Sequence, residues 1–203
     1  MIRVVAFDLG GVFFMGKGLA LNDAKTTEWA ARLGVSPQAL SRRVWDGPDI
    51  EAANIGALSA EEYAARAAAR LQADAPTLLA LLESLFSEPL NHELVAYARR
   101  LKDRLPLAAL TNNWSFGRRL LQRQGILDLF DPIVSSAEVG LKKPDPEIYR
   151  LLLDRLALPA EAVAFVDDVE ENIRAAEAFG IRGILFGDTR EGIAALERLL
   201  DEP

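Results

Sequence analysis

Ile2-Arg3-Val4-Val5-Ala6-Phe7-Asp8-Leu9-Gly10-Gly11 is the stretch on which the reading of the fold turns. Ile2 to Phe7 is an apolar, β-branched run, and it stops at an aspartate followed by two glycines. A buried strand that ends in a glycine turn reads this way. The same kind of unit recurs at Leu107–Leu110 before Thr111, at Ile133–Val134 before Ser135, at Ala162–Val166 before Asp167 and at Ile181–Phe186 before Gly187. Helical patterns lie between these runs, near Glu93–Lys102, Phe116–Gln124, Pro146–Leu156, Glu170–Phe179 and Arg190–Leu200. Strand–helix alternation with short connections predicts an α/β fold: a Rossmann-like parallel sheet with helices on both faces.

Residues 15–88 break the rhythm. They hold no strand pattern and are rich in Ala, Leu, Glu and Arg, with helices expected at Asp23–Leu33, Pro37–Trp45, Ala60–Gln72 and Thr77–Phe86. Ser36 before Pro37, and Ser59 before Glu61 and Glu62, have the chemistry of helix starts. The expectation is a small α-helical cap inserted after the first strand of a core made of residues 1–14 and 89–203.

Bulk properties narrow the chemistry. The 203 residues carry no cysteine and a single histidine, His92, which excludes thiolate metal sites and cysteine nucleophiles and argues against a Ser-His-Asp triad. A net charge of −7 leaves no basic stripe for nucleic acid. The N-terminal apolar run is too short for a signal core or a bilayer span, so a cytoplasmic protein without a membrane partner is expected. Oligomeric state has no signature here.

In an open parallel sheet, ligands bind at the carboxyl ends of the strands. The polar residues there are Asp8, Thr111-Asn112 and Asp167-Asp168, joined by Lys143 in the loop Gly140-Leu-Lys-Lys-Pro-Asp-Pro. Three carboxylates in one crevice repel each other unless a cation intervenes, and Mg²⁺ favours one or two carboxylates, waters and a phosphate oxygen. Singly, each residue has a plainer reading. Asp8 suits a turn, Asp167 or Asp168 a helix N-cap, and Lys143 a solvated loop. It is their combination that points to chemistry.

That combination resembles the haloacid dehalogenase superfamily of hydrolases. Phe7-Asp8-Leu9-Gly10-Gly11-Val12 is similar to its first motif and Leu110-Thr111-Asn112 to its second. Gly140–Tyr149, with Lys143-Pro144, is similar to the third, and Phe165-Val166-Asp167-Asp168 with Asn172 to the fourth. The insertion resembles the cap of one large branch, including Gly56–Tyr63. The resemblance implies a phosphatase in which Asp8 is the nucleophile and Mg²⁺ sits among Asp8, the Gly10 carbonyl oxygen, Asp168 and the phosphate. Asp167 would hold a metal-bound water, while Thr111, Asn112 and Lys143 hold the phosphoryl group. Trp114 is a candidate for the substrate pocket, and Trp45 is expected mainly to pack. The substrate implied is a small phosphorylated metabolite, because a subset with a similar Phe-Asp-Leu-Gly motif acts on sugar phosphates such as glucose 1-phosphate. The cap is expected to close over the site.

One position departs from the family pattern. Gly10 stands where an aspartate usually serves as general acid and base, a contribution of roughly 10²–10⁴-fold. A 2-haloacid dehalogenase and a non-catalytic binding module are therefore the rival readings. The first needs no metal and typically has an aromatic residue at position 10.

Overall fold

The computed structural model describes residues 1–15, 24–45, 49–86 and 89–202. Asp23, the expected start of the first cap helix, and Glu88, the expected end of the insertion, lie outside them. Five strands form one parallel sheet: β1 (Val4–Phe7), β2 (Leu107–Thr111), β3 (Ile133–Ser135), β4 (Val163–Asp167) and β5 (Arg182–Leu185). Their order is β3-β2-β1-β4-β5. The chain builds outward from β1 to β3 and then crosses to β4 on the other side of β1. A crevice therefore opens at the carboxyl ends of the central strands.

Helices cover both faces, as the alternation predicts. Val5 and Phe7 point to one side, with Ala109 and Val166. There they meet Leu94, Ala98 and Leu101 of α6 (His92–Lys102) and Leu196 and Leu199 of α11 (Thr189–Leu200). Val4 and Ala6 point to the other, with Leu110 and Phe165. Their partners are Ile148, Tyr149 and Leu152 of α9 (Pro146–Leu156) and Ile173 and Ala176 of α10 (Glu170–Ala178). Burial of each large side chain contributes about 1.5–3 kcal/mol, and every residue of β1 is buried. Two shorter helices sit beside the site, α7 (Gly117–Arg123) and α8 (Ser136–Val139).

The insertion is helical. It comprises α1 (Ala24–Arg32), α2 (Pro37–Trp45), α3 (Asp49–Asn54), α4 (Ala60–Leu71) and α5 (Ala75–Phe86). Ser59 and Glu62 form a reciprocal capping box at the start of α4, and Ser36 Oγ accepts from Ala39 N at 3.1 Å before α2. Ala60, Ala64, Ala67 and Ala68 of α4 bring it close to Leu78, Leu81, Leu82 and Leu85 of α5. The six-residue α3 was not foreseen, since so short a helix shows no period. No described helix is long and apolar enough to cross a membrane.

The insertion shares its hydrophobic cluster with the core. Trp114, Phe116 and Leu120, from the loop after β2 and from α7, are buried among the cap residues. Gly56 lies against α8 with φ +72°, and a Cβ there would meet the Ala137 carbonyl oxygen at 1.9 Å. The Ser115 hydroxyl accepts from Ala60 N at 3.0 Å, at the foot of α4. Lys142 pairs with Glu51 at 2.8 Å, and Arg119 and Arg123 both reach Glu83 at 2.5 Å.

Candidate active site

The strand-end residues converge at the crevice. Asp8 follows β1, and its backbone N–H donates to the Val166 carbonyl at 2.8 Å, which fixes it beside the end of β4. Asp8 Oδ1 accepts from Leu9 N at 2.7 Å and lies 3.0 Å from Lys143 Nζ. The same ammonium lies 2.6 Å from Asp167 Oδ2. Lys143 and Asp167 are buried, with 3% and 0% of their surface exposed, so this is a desolvated charge network and not a surface pair.

Asp167 is already well engaged. Oδ1 accepts from Val169 N at 2.8 Å and from Asn172 Nδ2 at 3.0 Å, and Oδ2 holds Lys143. The geometry makes Asp167 the counter-charge of Lys143, a part additional to the metal-bound water that the resemblance implies for it. Asn172 braces this carboxylate. Neither Asp167 nor Asp168 caps α10, because the cap position is Val169.

Asp168 is on the open side, and its carboxylate lies over Gly11. A Cβ on Gly11 would meet Asp168 Oδ2 at 2.0 Å, and Gly11 has φ +70°. Both facts require glycine there, a role beyond the turn that the sequence shows. Gly10 differs. A Cβ built on it meets nothing within 4 Å, so the position of the missing aspartate is open space at the pocket floor.

Asp8, Asp167 and Asp168 each offer an oxygen, and these lie within 4.8 Å of one another. Three carboxylates face one lysine. Burial pushes the Asp8 carboxyl up to about 6, Lys143 opposes the rise and Asp167 adds to it. Asp168 is raised too, by partial burial and then by Asp167. Hard oxygen donors carrying uncompensated negative charge fit Mg²⁺. Asp8 and Asp168 are the carboxylates left to hold it directly.

Thr111 ends β2 and is buried. Asn112 is turned toward the loop. Its Nδ2 donates to the Lys143 carbonyl at 2.9 Å and its Oδ1 accepts from Lys143 N at 2.8 Å, so it positions the lysine. Asn91, passed over in the sequence, caps α6 through Leu94 N and also donates to the Val12 carbonyl at 3.2 Å, steadying the loop after Asp8. Its place before His92-Glu93-Leu94 signals the cap, though not the second bond.

Above these groups is a cavity of about 240 Å³. Its floor is Gly10, Gly11, Thr111, Asn112, Asn113 and Asp168, and its wall is Phe14, Trp45, Leu85 and Phe86. The two tryptophans exchange their expected parts. Trp45 lines the cavity, while Trp114 is buried behind it and donates its indole N–H to Asn54 Oδ1 at 2.8 Å.

Known proteins are similar to this chain. Bifunctional epoxide hydrolase 2 of Sus scrofa is 32% identical over 123 residues, 58% of this chain and 22% of that protein. A phosphatase of Mycobacterium tuberculosis is 34% identical over 94 residues, 44% of this chain and 43% of that one. The chain thus spans less than half the length of these relatives. A solved structure of a haloacid dehalogenase family enzyme from Bacteroides thetaiotaomicron, in complex with magnesium and inorganic phosphate, superposes with a TM-score of 0.78. The two are 17% identical, over 92% of this chain and 95% of that one, which establishes a common fold. A family model described as haloacid dehalogenase-like hydrolase matches residues 2–180. That span opens on β1 and runs past α10, so it takes in Asp8, Lys143 and both aspartates after β4, and the chain belongs to the haloacid dehalogenase-like hydrolase family.

Proposed function

We propose that the chain is a Mg²⁺-dependent phosphatase acting on a small phosphomonoester, with Asp8 as the nucleophile. The observation that carries this is the pairing of Asp8 with buried Lys143 at 3.0 Å, beside the open carboxylate of Asp168. A buried lysine favours the ionised, nucleophilic form of Asp8, against the burial that raises its pKa.

In the first step an Asp8 carboxylate oxygen forms a bond to phosphorus, and the bond from phosphorus to the leaving oxygen breaks. The departing alkoxide takes a proton from water, because Gly10 supplies none. In the second step water attacks phosphorus, the aspartyl oxygen leaves, and inorganic phosphate and a proton are released. Lys143 and the Thr111 hydroxyl are placed to stabilise charge on the phosphoryl oxygens. Asp8, Asp168 and the Gly10 carbonyl would hold Mg²⁺, which would supply charge neutralisation and orientation of the phosphate.

The likeness of the first motif to that of sugar-phosphate phosphatases makes a sugar phosphate one candidate substrate. The dehalogenase reading shares the fold and the aspartate nucleophile, but it leaves Asp168 without a task. Phosphate release from acetyl phosphate and p-nitrophenyl phosphate tests the proposal. Activity is expected to disappear with EDTA and to fall at least ~10³-fold in Asp8→Asn. Turnover of chloroacetate that is indifferent to EDTA would overturn it in favour of the dehalogenase. A folded protein with neither activity would leave a binding module.

A further inference from the structure

We infer that the leaving group of the substrate is an apolar alcohol, aromatic or hydrocarbon, and not a polyhydroxylated sugar. The inference rests on the phosphatase reading above and assigns the part of the pocket that the chemistry does not use.

Among the described residues, the cap contributes two apolar side chains and one tryptophan to the cavity, with the Trp45 indole N–H the single polar side-chain group. Trp45 comes from the end of α2, Leu85 and Phe86 from the end of α5, and Phe14 joins them from the loop after β1. Trp45 and Phe86 are partly exposed, and the surface they expose is the cavity wall. A sugar presents a hydroxyl on nearly every carbon. Each that is buried against such a wall loses water without gaining a partner, which costs free energy.

The polar floor does not make up the deficit. Both ends of the Asn112 amide are bound to the Lys143 backbone, and Asn113 Oδ1 accepts from Trp114 N at 2.8 Å. Thr111 and Asp168 belong to the phosphoryl and metal end. Among the described residues few groups are left to read hydroxyls, whereas an apolar group finds a shaped, largely apolar surface.

The wall is also held in place. Trp114 stands behind it, with ring centroids 5.9 Å from Trp45 and 5.2 Å from Phe86, and its indole N–H is fixed by Asn54. Phe86 is further backed by Phe116 at 5.2 Å. Aromatic rings at these separations and tilts attract one another, so the wall keeps its shape when no substrate is present. Trp114 is thus a positioning residue for the specificity wall.

The cavity of about 240 Å³ has room for a small organic group beside the phosphate.

The test compares esters of primary alcohols, so that intrinsic reactivity is similar: benzyl and n-hexyl phosphate against glucose 6-phosphate and glycerol 3-phosphate. With Mg²⁺, kcat/KM is expected to be at least about tenfold higher for the apolar pair, and Trp45→Gln and Phe86→Gln are expected to narrow that ratio mainly through KM for benzyl phosphate. A preference for the sugar phosphate, or a ratio unchanged in both folded variants, would overturn the inference while leaving the phosphatase standing. Failure to hydrolyse acetyl phosphate as well, whose leaving group is too small to need the wall, would instead remove the reading on which it rests.

Discussion

Beneath the floor of the pocket Asp8 and Asp167 lie within 3.0 Å of one buried ammonium, whereas the wall above presents Trp45, Leu85 and Phe86. The floor is held by directed, charged contacts between residues 8, 143 and 167, which are far apart in sequence and meet because two strands and a loop end together. The wall is held by shape, through rings and Leu–Ala contacts that tolerate exchange for other apolar groups. The difference teaches a division of labour. The floor can change little and still bind a phosphoryl group, while the wall can be rebuilt without disturbing the chemistry.

The largest expected effect lies in the floor. Lys143→Met keeps the length and removes the charge, leaving Asp8 and Asp167 buried without their counter-ion. Removing one partner of a buried pair costs about 3–5 kcal/mol. Phosphate release is expected to fall about 10²–10³-fold, as when an electrostatic stabiliser is lost. Denaturant melts at pH 8 and steady-state kinetics would read the two losses separately. A variant that kept full stability would show that Asp8 and Asp167 share a proton in place of the lysine.

The seam between floor and wall comes next. Gly56→Val demands a Cβ where the Ala137 carbonyl oxygen lies, at a residue with φ +72°. The cap must shift or the backbone must unwind, with a loss of about 3 kcal/mol. Gly34→Ala is the control, since Gly34 has a similar φ of +65° but open space around it. It is expected to cost only about 1 kcal/mol. Equal losses in the two variants would mean that the seam is not tight.

The sequence made the floor legible and the seam invisible, for a physical reason. Asp8, Thr111 and Asp167-Asp168 announce themselves because each ends a short apolar run, and strand ends in a parallel sheet share one edge. Asp168 over Gly11, Ser115 on Ala60 and Trp114 behind Trp45 are contacts between segments that no local pattern relates. The reversal of the two tryptophans has the same origin. A loop tryptophan beside the second motif looks available, and only the packing of α4 and α5 around it shows that it is buried. Helix ends were read closely where capping chemistry marks them, as at Ser59 and at Pro146, and α3 was missed where six residues carry no period.

A smaller effect separates function from stability within the floor itself. Burial lifts the Asp8 carboxyl from 3.8 to about 6, so ionised Asp8 burdens the folded state above pH 6, and this cost is absent below pH 3.8. Asp8→Asn removes the burden. Without metal at pH 8 the variant is expected to be more stable than the parent by about 1–3 kcal/mol, a margin that shrinks as pH falls from 6 toward 4. Mg²⁺ in millimolar excess is expected to raise the melting temperature of the parent and close the gap, since it binds the folded carboxylates and not the unfolded chain. A parent more stable than Asp8→Asn in EDTA at pH 8 would show that Lys143 outweighs burial.

The smallest effect concerns how firmly the wall is fastened to the core. Arg119 and Arg123 of α7 both reach Glu83 of α5 at 2.5 Å, and Glu83 is the most enclosed acid of that cluster, with 15% of its side chain exposed. Burial works against the Glu83 charge, but Arg123 and Arg119 together outweigh it and hold the carboxyl below the usual range. Its contribution is therefore present at neutral pH and lost as pH falls through that lowered value. The arginines are about half exposed, so Glu83→Gln is expected to cost no more than about 1 kcal/mol, less in high salt. The kinetic consequence is the sharper measure. Trp114, Phe116 and Leu120 already anchor the cap on the α7 side through buried apolar contacts, so loosening these two ion pairs should leave KM for every substrate unchanged. A rise in KM for apolar esters alone would mean that the wall depends on this clasp, and that the cap moves about the α7 side during turnover.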